Sequence, residues 1–263
     1  MGRHGMESAL LALLIVGGSV AYGLIGVWFG RKFIHKHVAE GHNDVLVPIF
    51  LTAGVIYAVL LGFMVVAVWE SYDAAHANAS EEAAMLVPLY RQTTVMAPEK
   101  GAVMRELVRQ YAENVIHDEW STMRKSGAAS EKARKSIGDI FREYATLTPA
   151  TKVRELIAGQ FLNTLSQIIL DRNKRILQAS EALSPIIWLG VVGGGAVIIG
   201  MTFLLYMDRR GPQLVMTGIM AGMIGMLLFI MVVLNKPFVG PLALDPAPFE
   251  QSIAAFDDVD RGN

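Results

Sequence analysis

The sequence has no cysteine and few charged residues, and both shortages narrow the kinds of protein that it can encode. Without cysteine the chain forms no disulfide, thiolate nucleophile or Cys-ligated zinc or iron–sulfur site. Charged residues make up 18% of the 263 residues, whereas about 25% is usual in a soluble domain. A net charge of −1 gives no basic field for nucleic acid, and 53% apolar residues exclude a disordered chain.

The apolar residues are concentrated in four segments that contain no Asp, Glu, Lys or Arg. Each segment is longer than the ~20 residues that a helix needs to cross the hydrocarbon core of a bilayer. The sequence therefore predicts an all-α, multi-pass membrane protein with four transmembrane helices, the first of which is not a cleavable signal peptide. The segments are residues 9–30, 45–69, 185–207 and 212–235.

The middle of the chain is polar, and its apolar residues recur at helical spacing without any strand pattern. Residues 70–184 are predicted to form an extramembrane helical bundle, or stalk, inserted between transmembrane helices two and three. Within it, Ser130 is predicted to cap one helix, and Thr148 and Pro149 to start another. Transmembrane helices one and two then occupy residues 1–69, helices three and four residues 185–235, and a polar C-terminal tail residues 236–263.

Transmembrane helix two is predicted to continue into the polar region. Residues 70–90 contain no glycine and a single proline, Pro88, so one helix from Val45 to Val87 would be about 65 Å long at 1.5 Å per residue. The alternative is a break at the membrane surface near residues 78–80.

The basic residues do not fix the orientation in the membrane. The positive-inside rule places both short loops in the cytoplasm, because they hold Arg31, Lys32, Lys36, Arg209 and Arg210. The opposite side has Arg3 and Lys236, and the count becomes equal when three basic residues close to the third span are included: Arg172, Lys174 and Arg175.

Small residues recur at fourfold spacing in the spans, which allows helix backbones to approach closely. Such positions pack the four helices of one chain together or join subunits, and the sequence leaves both open. They include Gly54, Ala58, Gly62, Gly190, Gly194, Gly218 and Gly222.

Transmembrane helix two has a small face and, nearly opposite to it, a bulky apolar face. The small face consists of Gly54, Ala58 and Gly62. The bulky face points to lipid or to a central axis. Around an axis, its side chains would form a hydrophobic constriction that closes by excluding water. The candidates for this neck are Ile56, Leu60 and Phe63.

No group of residues in the sequence indicates catalysis, so we predict neither an enzyme nor a cofactor. The spans contain no ionisable side chain of the kind that forms a proton relay in pumps. His35, His37 and His42 are candidates for a metal site or pH sensor in the first short loop. The alternative for these histidines is a solvated loop beside the membrane.

Several motifs resemble those of a prokaryotic membrane-protein family of unknown function that is described as bestrophin-like. They are distributed over nearly the whole chain and are specific to that family rather than to an activity. Their residues include Gly62, Phe63, Trp69, Tyr72, Glu82, Tyr90, Arg91, Trp120, Pro237, Phe238 and Gly240.

The resemblance extends distantly to the bestrophins, which are pentameric anion (chloride) channels with four membrane helices and an apolar neck on helix two. It implies a pentamer, anion conduction, Ile56, Leu60 and Phe63 as the neck, and a bacterial inner (plasma) membrane location. It also implies that the bundle and the termini lie in the cytosol, contrary to the count of basic residues in the short loops. The chain lacks the acidic calcium clasp of animal bestrophins, so no calcium gate is expected.

Two functions follow from these observations. The first is a homo-oligomeric channel for small inorganic ions, with an apolar pore neck on transmembrane helix two. The alternative is a non-conducting membrane scaffold or sensor whose helical stalk binds a partner. Both place the chain in the lipid bilayer, and neither involves nucleic acid.

Overall fold

The computed structural model describes residues 3–34 and 41–262, and within these residues it is helical without any strand. Two π-helical turns are present among the described residues. One, Gly30–Ile34, follows the first α-helix, and the other, Val115–Glu119, lies between the α-helices Pro98–Asn114 and Trp120–Ser126. The α-helices of the described residues are α1 (Arg3–Phe29), α2 (His42–Gln92), α3 (Pro98–Asn114), α4 (Trp120–Ser126), α5 (Glu131–Tyr144), α6 (Lys152–Ser180), α7 (Pro185–Leu204), α8 (Arg210–Leu234) and α9 (Ala247–Asp260).

Four helices, α1, α2, α7 and α8, are long and apolar enough to cross a membrane, as the sequence predicts. The third of them, α7, ends at Leu204, before the predicted end at residue 207. Helix α2 runs without a break over 51 residues, or about 75 Å at 1.5 Å per residue. The predicted continuity is therefore confirmed, and the alternative of a break near residues 78–80 is wrong.

The chain divides into two compact units. The first unit comprises Met1–Glu70 and Ala182–Asn235, and the second unit comprises Ser71–Glu181 and Lys236–Asn263.

In the first unit, polar side chains bind the backbone carbonyls of the residues that directly follow α7. Arg31 donates to the carbonyl of Met207 at 2.8 Å and to the side-chain oxygen of Gln213 at 2.9 Å. Gln213 in turn donates to the carbonyl of Leu205 at 2.9 Å, and Asn43 donates to that of Tyr206 at 2.8 Å. The loop between α7 and α8 is thereby tied to the ends of α1 and α2.

In the second unit, a side-chain hydroxyl caps the first turn of α5 and another caps that of α6. Ser130 caps α5, since its hydroxyl accepts hydrogen bonds from the amides of Lys132 and Ala133, and this confirms the prediction. The predicted start of α6 at Thr148 and Pro149 is wrong. The helix begins at Lys152, because the hydroxyl of Thr151 is the group that accepts from an amide of the first turn.

The C-terminal residues form part of the second unit, although the sequence indicates only a polar tail. They contain α9, and Phe238, Phe249 and Phe256 are buried in the core of the second unit. Phe256 stacks on Tyr90 of α2 with 4.2 Å between the ring centroids. Because the outer face of α9 is polar, the composition of this segment does not reveal the apolar face that carries the buried phenylalanines.

Candidate pore-lining helix

In the first unit, α2 buries only one narrow face against the rest of the chain. Tyr57, Leu61 and Val68 are 7%, 3% and 3% exposed. The hydroxyl of Tyr57 donates to the carbonyl of Val191 on α7 at 3.0 Å, and its ring lies against Gly194. This face fixes the rotation of α2 within the unit.

The small face of α2 has no neighbour among the described residues. A Cβ atom added to Gly54 or to Gly62 would meet no atom within 4 Å, and Ala58 is exposed. The close approach that these residues allow is therefore unused within one chain.

The bulky face of α2 is exposed as well. Ile56, Leu60 and Phe63 are 67%, 40% and 68% exposed. In an apolar helix that lies in a bilayer, such side chains contact lipid or other polypeptide. The structure thus leaves both unpaired faces of α2 available to partners outside this chain.

The remaining small residues of the spans differ in what they contact. A Cβ atom on Gly194 would lie 2.7 Å from the ring of Tyr57, so this glycine is required for packing within the chain. Gly218 and Gly222 have only loose neighbours on α1, and Gly190 has none within 4 Å among the described residues. A Cβ on Gly225, which the fourfold spacing did not select, would lie 2.9 Å from the hydroxyl of Ser19.

The candidate histidines of the first short loop do not form a metal site with described residues. His35 and His37 lie outside the described residues, and His42 is half-buried at the first position of α2. Residues 3–34 and 41–262 contain no group of three or more His, Asp or Glu side chains that could hold a metal ion.

The second unit contains a cluster of buried charges that the sequence analysis did not identify. We call Glu82, Tyr111, Glu119, Arg172 and Arg175 the buried ion cluster. Arg175 binds Glu82 through two hydrogen bonds of 2.7 and 3.0 Å, and both side chains are fully buried. Arg172 binds Glu119 at 3.0 Å. Such buried pairs are stable only when their hydrogen bonds are well formed.

Three members of the buried ion cluster, Tyr111, Glu119 and Arg175, have pKa values raised by their surroundings. Burial, and then the negative charge of Glu82, raise the pKa of Tyr111 well above its ordinary value. Its hydroxyl therefore stays protonated and donates to Glu82 at 2.6 Å. Burial also raises the pKa of Glu119, although the charges of Arg175 and Arg172 lower it.

A local irregularity of the backbone positions Glu119. This residue ends the π-helical turn Val115–Glu119, which adds a residue to the regular helical repeat and rotates the residues that follow. One oxygen of Glu119 is held by Arg172, while the other lies 3.6 Å from Arg175 and has no hydrogen-bond partner in the described part of the chain. No sequence signal that we used predicts such a turn.

Five of the motif residues that suggested a family are buried in the second unit: Glu82, Tyr90, Trp120, Pro237 and Phe238. Trp120 donates from its indole nitrogen to the carbonyl of Leu244 at 2.9 Å and meets Phe238 edge to face. Tyr90 donates to Asp260 at 2.7 Å, and Gly240 has a φ of +96°, which favours glycine. Arg91 is exposed and Pro237 is buried. The buried motif residues therefore stabilise the fold of the second unit, whereas Gly62, Phe63, Trp69 and Arg91 are exposed.

A family model for the bestrophin-like domain matches residues 17–249, which is most of the chain. The chain belongs to the bestrophin-like family. Its four apolar helices and this membership make it an integral membrane protein.

Solved structures show that this bestrophin-like chain has the bestrophin fold. Two are variants of a bacterial bestrophin homologue from Klebsiella pneumoniae, each 14% identical in sequence. The first has a TM-score of 0.70 and the match covers 94% of this chain and 98% of that one; the second has a TM-score of 0.72, with 95% and 98% covered. The crystal structure of a variant membrane protein has a TM-score of 0.74 at 14% identity, with 94% and 97% covered. No curated protein matches the sequence.

Proposed function

We propose that this bestrophin-like chain is the subunit of a homo-oligomeric ion channel whose conduction path runs along α2. The observation that carries the proposal is that α2 has two faces without a partner in the described chain. A face of small residues, Gly54, Ala58 and Gly62, suits contact with a neighbouring subunit. The opposite face supplies the apolar neck.

The neck is formed in this proposal by the copies of Ile56, Leu60 and Phe63 around a central axis. Exposure of all three side chains in the single chain supports the assignment, because a residue that closes a pore cannot be buried against its own subunit. A narrow apolar ring excludes water and therefore stops ions without any charged gate.

The proposed subunit number, membrane location and permeant ion are inferred from the family resemblance. By resemblance the oligomer is a pentamer in the bacterial inner membrane, with the bundle of residues 70–184 inserted between transmembrane helices two and three and lying outside the bilayer. By resemblance alone the permeant ions would be anions such as chloride. The channel has no catalytic step in this proposal.

The test is the conductance of purified protein in planar bilayers with substituted ions, compared between wild type and Leu60→Ala. We expect the variant to stay folded and to conduct more, since the shorter side chain widens the neck. Leu13→Ala on α1 is the matched control, because Leu13 is also exposed, at 73%, but does not lie on α2. This variant should conduct like the wild type.

Other outcomes would contradict the neck assignment. A loss of about 2–5 kcal/mol in stability for Leu60→Ala would identify a buried packing position instead. If this variant is stable and conducts no differently from wild type, the side chain faces lipid. The non-conducting scaffold is then the better interpretation.

A further inference from the structure

A groove of about 450 Å³ lies between α1, α7 and α8 in the first unit. Along α7 it extends from Trp188, in the first turn of the helix, to Ile199. This part of the helix is about 16 Å long at 1.5 Å per residue. The groove is therefore elongated along the spans, and its volume is that of a binding site for a small molecule.

The wall of this groove offers almost no polar group to a ligand. It contains two hydroxyl groups, and both donate within the chain: Ser19 to the carbonyl of Ile15 at 2.9 Å and Tyr22 to that of Ala196 at 3.3 Å. The other side chains of the wall are apolar, apart from the indole N–H of Trp188. Apolar cavities of this kind stay dry, because water finds no partner in them, and they bind apolar molecules.

The groove is continuous with the part of the first unit that contacts the bilayer. Val192 lies in its wall and is 48% exposed, and Leu189 beside it on α7 is 72% exposed. On α1, Leu14 precedes the wall residue Ile15 and is 63% exposed. All of these residues belong to helices that are long and apolar enough to cross a membrane. The molecules next to the groove are therefore the acyl chains of lipids.

One end of the groove has a free hydrogen-bond donor. The indole nitrogen of Trp188 has no hydrogen-bond partner among the described residues, and no side chain caps the first turn of α7. Tryptophan is enriched at the level of the lipid headgroups, because its ring is apolar whereas its N–H group is polar. An acyl chain of a phospholipid ends at that level in an ester, whose carbonyl oxygen accepts a hydrogen bond.

We infer that the groove between α1, α7 and α8 binds one acyl chain of a membrane glycerophospholipid, with the ester group at Trp188. The bound chain fills the gap between three helices and therefore stabilises the first unit. This role is independent of conduction, since a channel and a non-conducting scaffold would hold the lipid alike.

The experiment is native mass spectrometry of the purified protein in mild detergent, after delipidation and addition of phosphatidylglycerol. We expect one retained phospholipid per subunit in wild type. Gly18→Leu should reduce this occupancy several-fold, because Gly18 lines the groove and its Cβ position has no atom within 4 Å, so the leucine fills the space. Gly17→Leu is the matched control, since its Cβ position is equally open but Gly17 does not line the groove.

Two further variants separate the parts of the site. Val192→Phe fills the groove from α7 and should cause the same loss, so the test does not depend on one substitution. Trp188→Phe keeps an aromatic ring but removes the donor, and it should weaken binding of the phospholipid less than the filled groove does.

Melting temperatures give a second measurement. Phosphatidylglycerol should raise the melting temperature of wild type and of Gly17→Leu but not that of Gly18→Leu, which without lipid should melt no lower than wild type. Equal occupancy in the two glycine variants would overturn the inference. Displacement of the phospholipid by an equal concentration of free fatty acid would also overturn it, because the ester would then have no role. A smaller oligomer of Gly18→Leu with unchanged lipid content would identify a neighbouring subunit, rather than a lipid, as the occupant.

Discussion

At the scale of single residues, the buried charges of the second unit lie beside charges of the opposite sign. The spans contain none, and the buried ion cluster balances two carboxylates against two guanidinium groups. Arg175 is the central member, because it contacts both Glu82 and Glu119 and also lies over the rings of Trp120 and Phe249 at 5.2 and 5.5 Å. Removal of the Arg175 side chain would leave the negative charges of Glu82 and Glu119 with less positive charge beside them.

Arg175→Ala is therefore expected to destabilise the second unit. Breaking a buried ion pair from one side costs about 3–5 kcal/mol, since the remaining charge stays desolvated. The measurement is thermal unfolding in mild detergent, followed by circular dichroism. Arg134→Ala is the control, because Arg134 pairs with Glu131 on the solvent-exposed surface of α5 and should not change the melting temperature. Equal melting temperatures for Arg175→Ala and wild type would mean that the buried ion cluster contributes nothing to the fold.

At the scale of helices, the sequence predicts what depends on local signals. The four apolar runs, the continuity of α2 and the cap at Ser130 all follow from residues close in the chain, and all three predictions are confirmed. The same signals predict the start of α6 at Thr148, whereas Thr151 is the cap. They also miss α9, because several polar residues in this segment mask the periodicity of its buried face.

Contacts between residues far apart in the chain could not be predicted from a single sequence. Glu82 and Arg175 are separated by 93 positions, and nothing local to either shows that they meet. In the sequence, Glu82 is noticeable only as part of a family motif, and Arg175 only as a basic residue near the third span. The neck candidates need a different kind of information. The helical period predicts the two faces of α2, but only the structure shows that no other described residue covers either face.

The contact between α2 and α7 is predicted to depend on a glycine. In Gly194→Ala the new Cβ would lie 2.7 Å from the ring of Tyr57, whose hydroxyl is fixed by its hydrogen bond to Val191. Overpacking of this kind costs about 1–3 kcal/mol. Gly190→Ala on the same helix provides the control, since no described atom lies within 4 Å of its Cβ position. Melting temperatures of the two variants should therefore differ, and a Gly194→Ala protein as stable as Gly190→Ala would show that Tyr57 moves freely.

At the scale of the whole molecule, the described residues leave the small face of α2 unpaired, and we propose that assembly covers it. Packing rather than hydrophobicity drives such association in a bilayer, so the loss of close approach should weaken it. In this proposal the small face of α2 provides the contact between subunits.

Gly62→Leu is expected to reduce the oligomer to smaller species without loss of helix. The leucine would have room in the isolated chain but would hold a neighbouring helix away. Native mass spectrometry in mild detergent gives the subunit number, and circular dichroism the helical content. Gly138→Leu is the control, because Gly138 of α5 is also helical with no described atom within 4 Å of its Cβ position. An intact oligomer in Gly62→Leu would place the subunit contact on another surface.

The division of the second unit between two stretches of the sequence has a consequence for how the protein is made. Residues 71–181 leave the ribosome before α7 and α8, but their core lacks Phe238, Phe249 and Phe256 until the chain beyond α8 has been synthesised. The hydroxyl of Ser252 then donates to the carbonyl of Ala83 at 2.7 Å, and Arg109 binds Asp257 at 2.9 Å. The core of this unit therefore cannot be completed until the residues that follow α8 have been synthesised. Until then Tyr90 lacks the ring of Phe256 and Trp120 lacks those of Phe238 and Phe249, so the nascent chain exposes apolar surface that the finished protein buries.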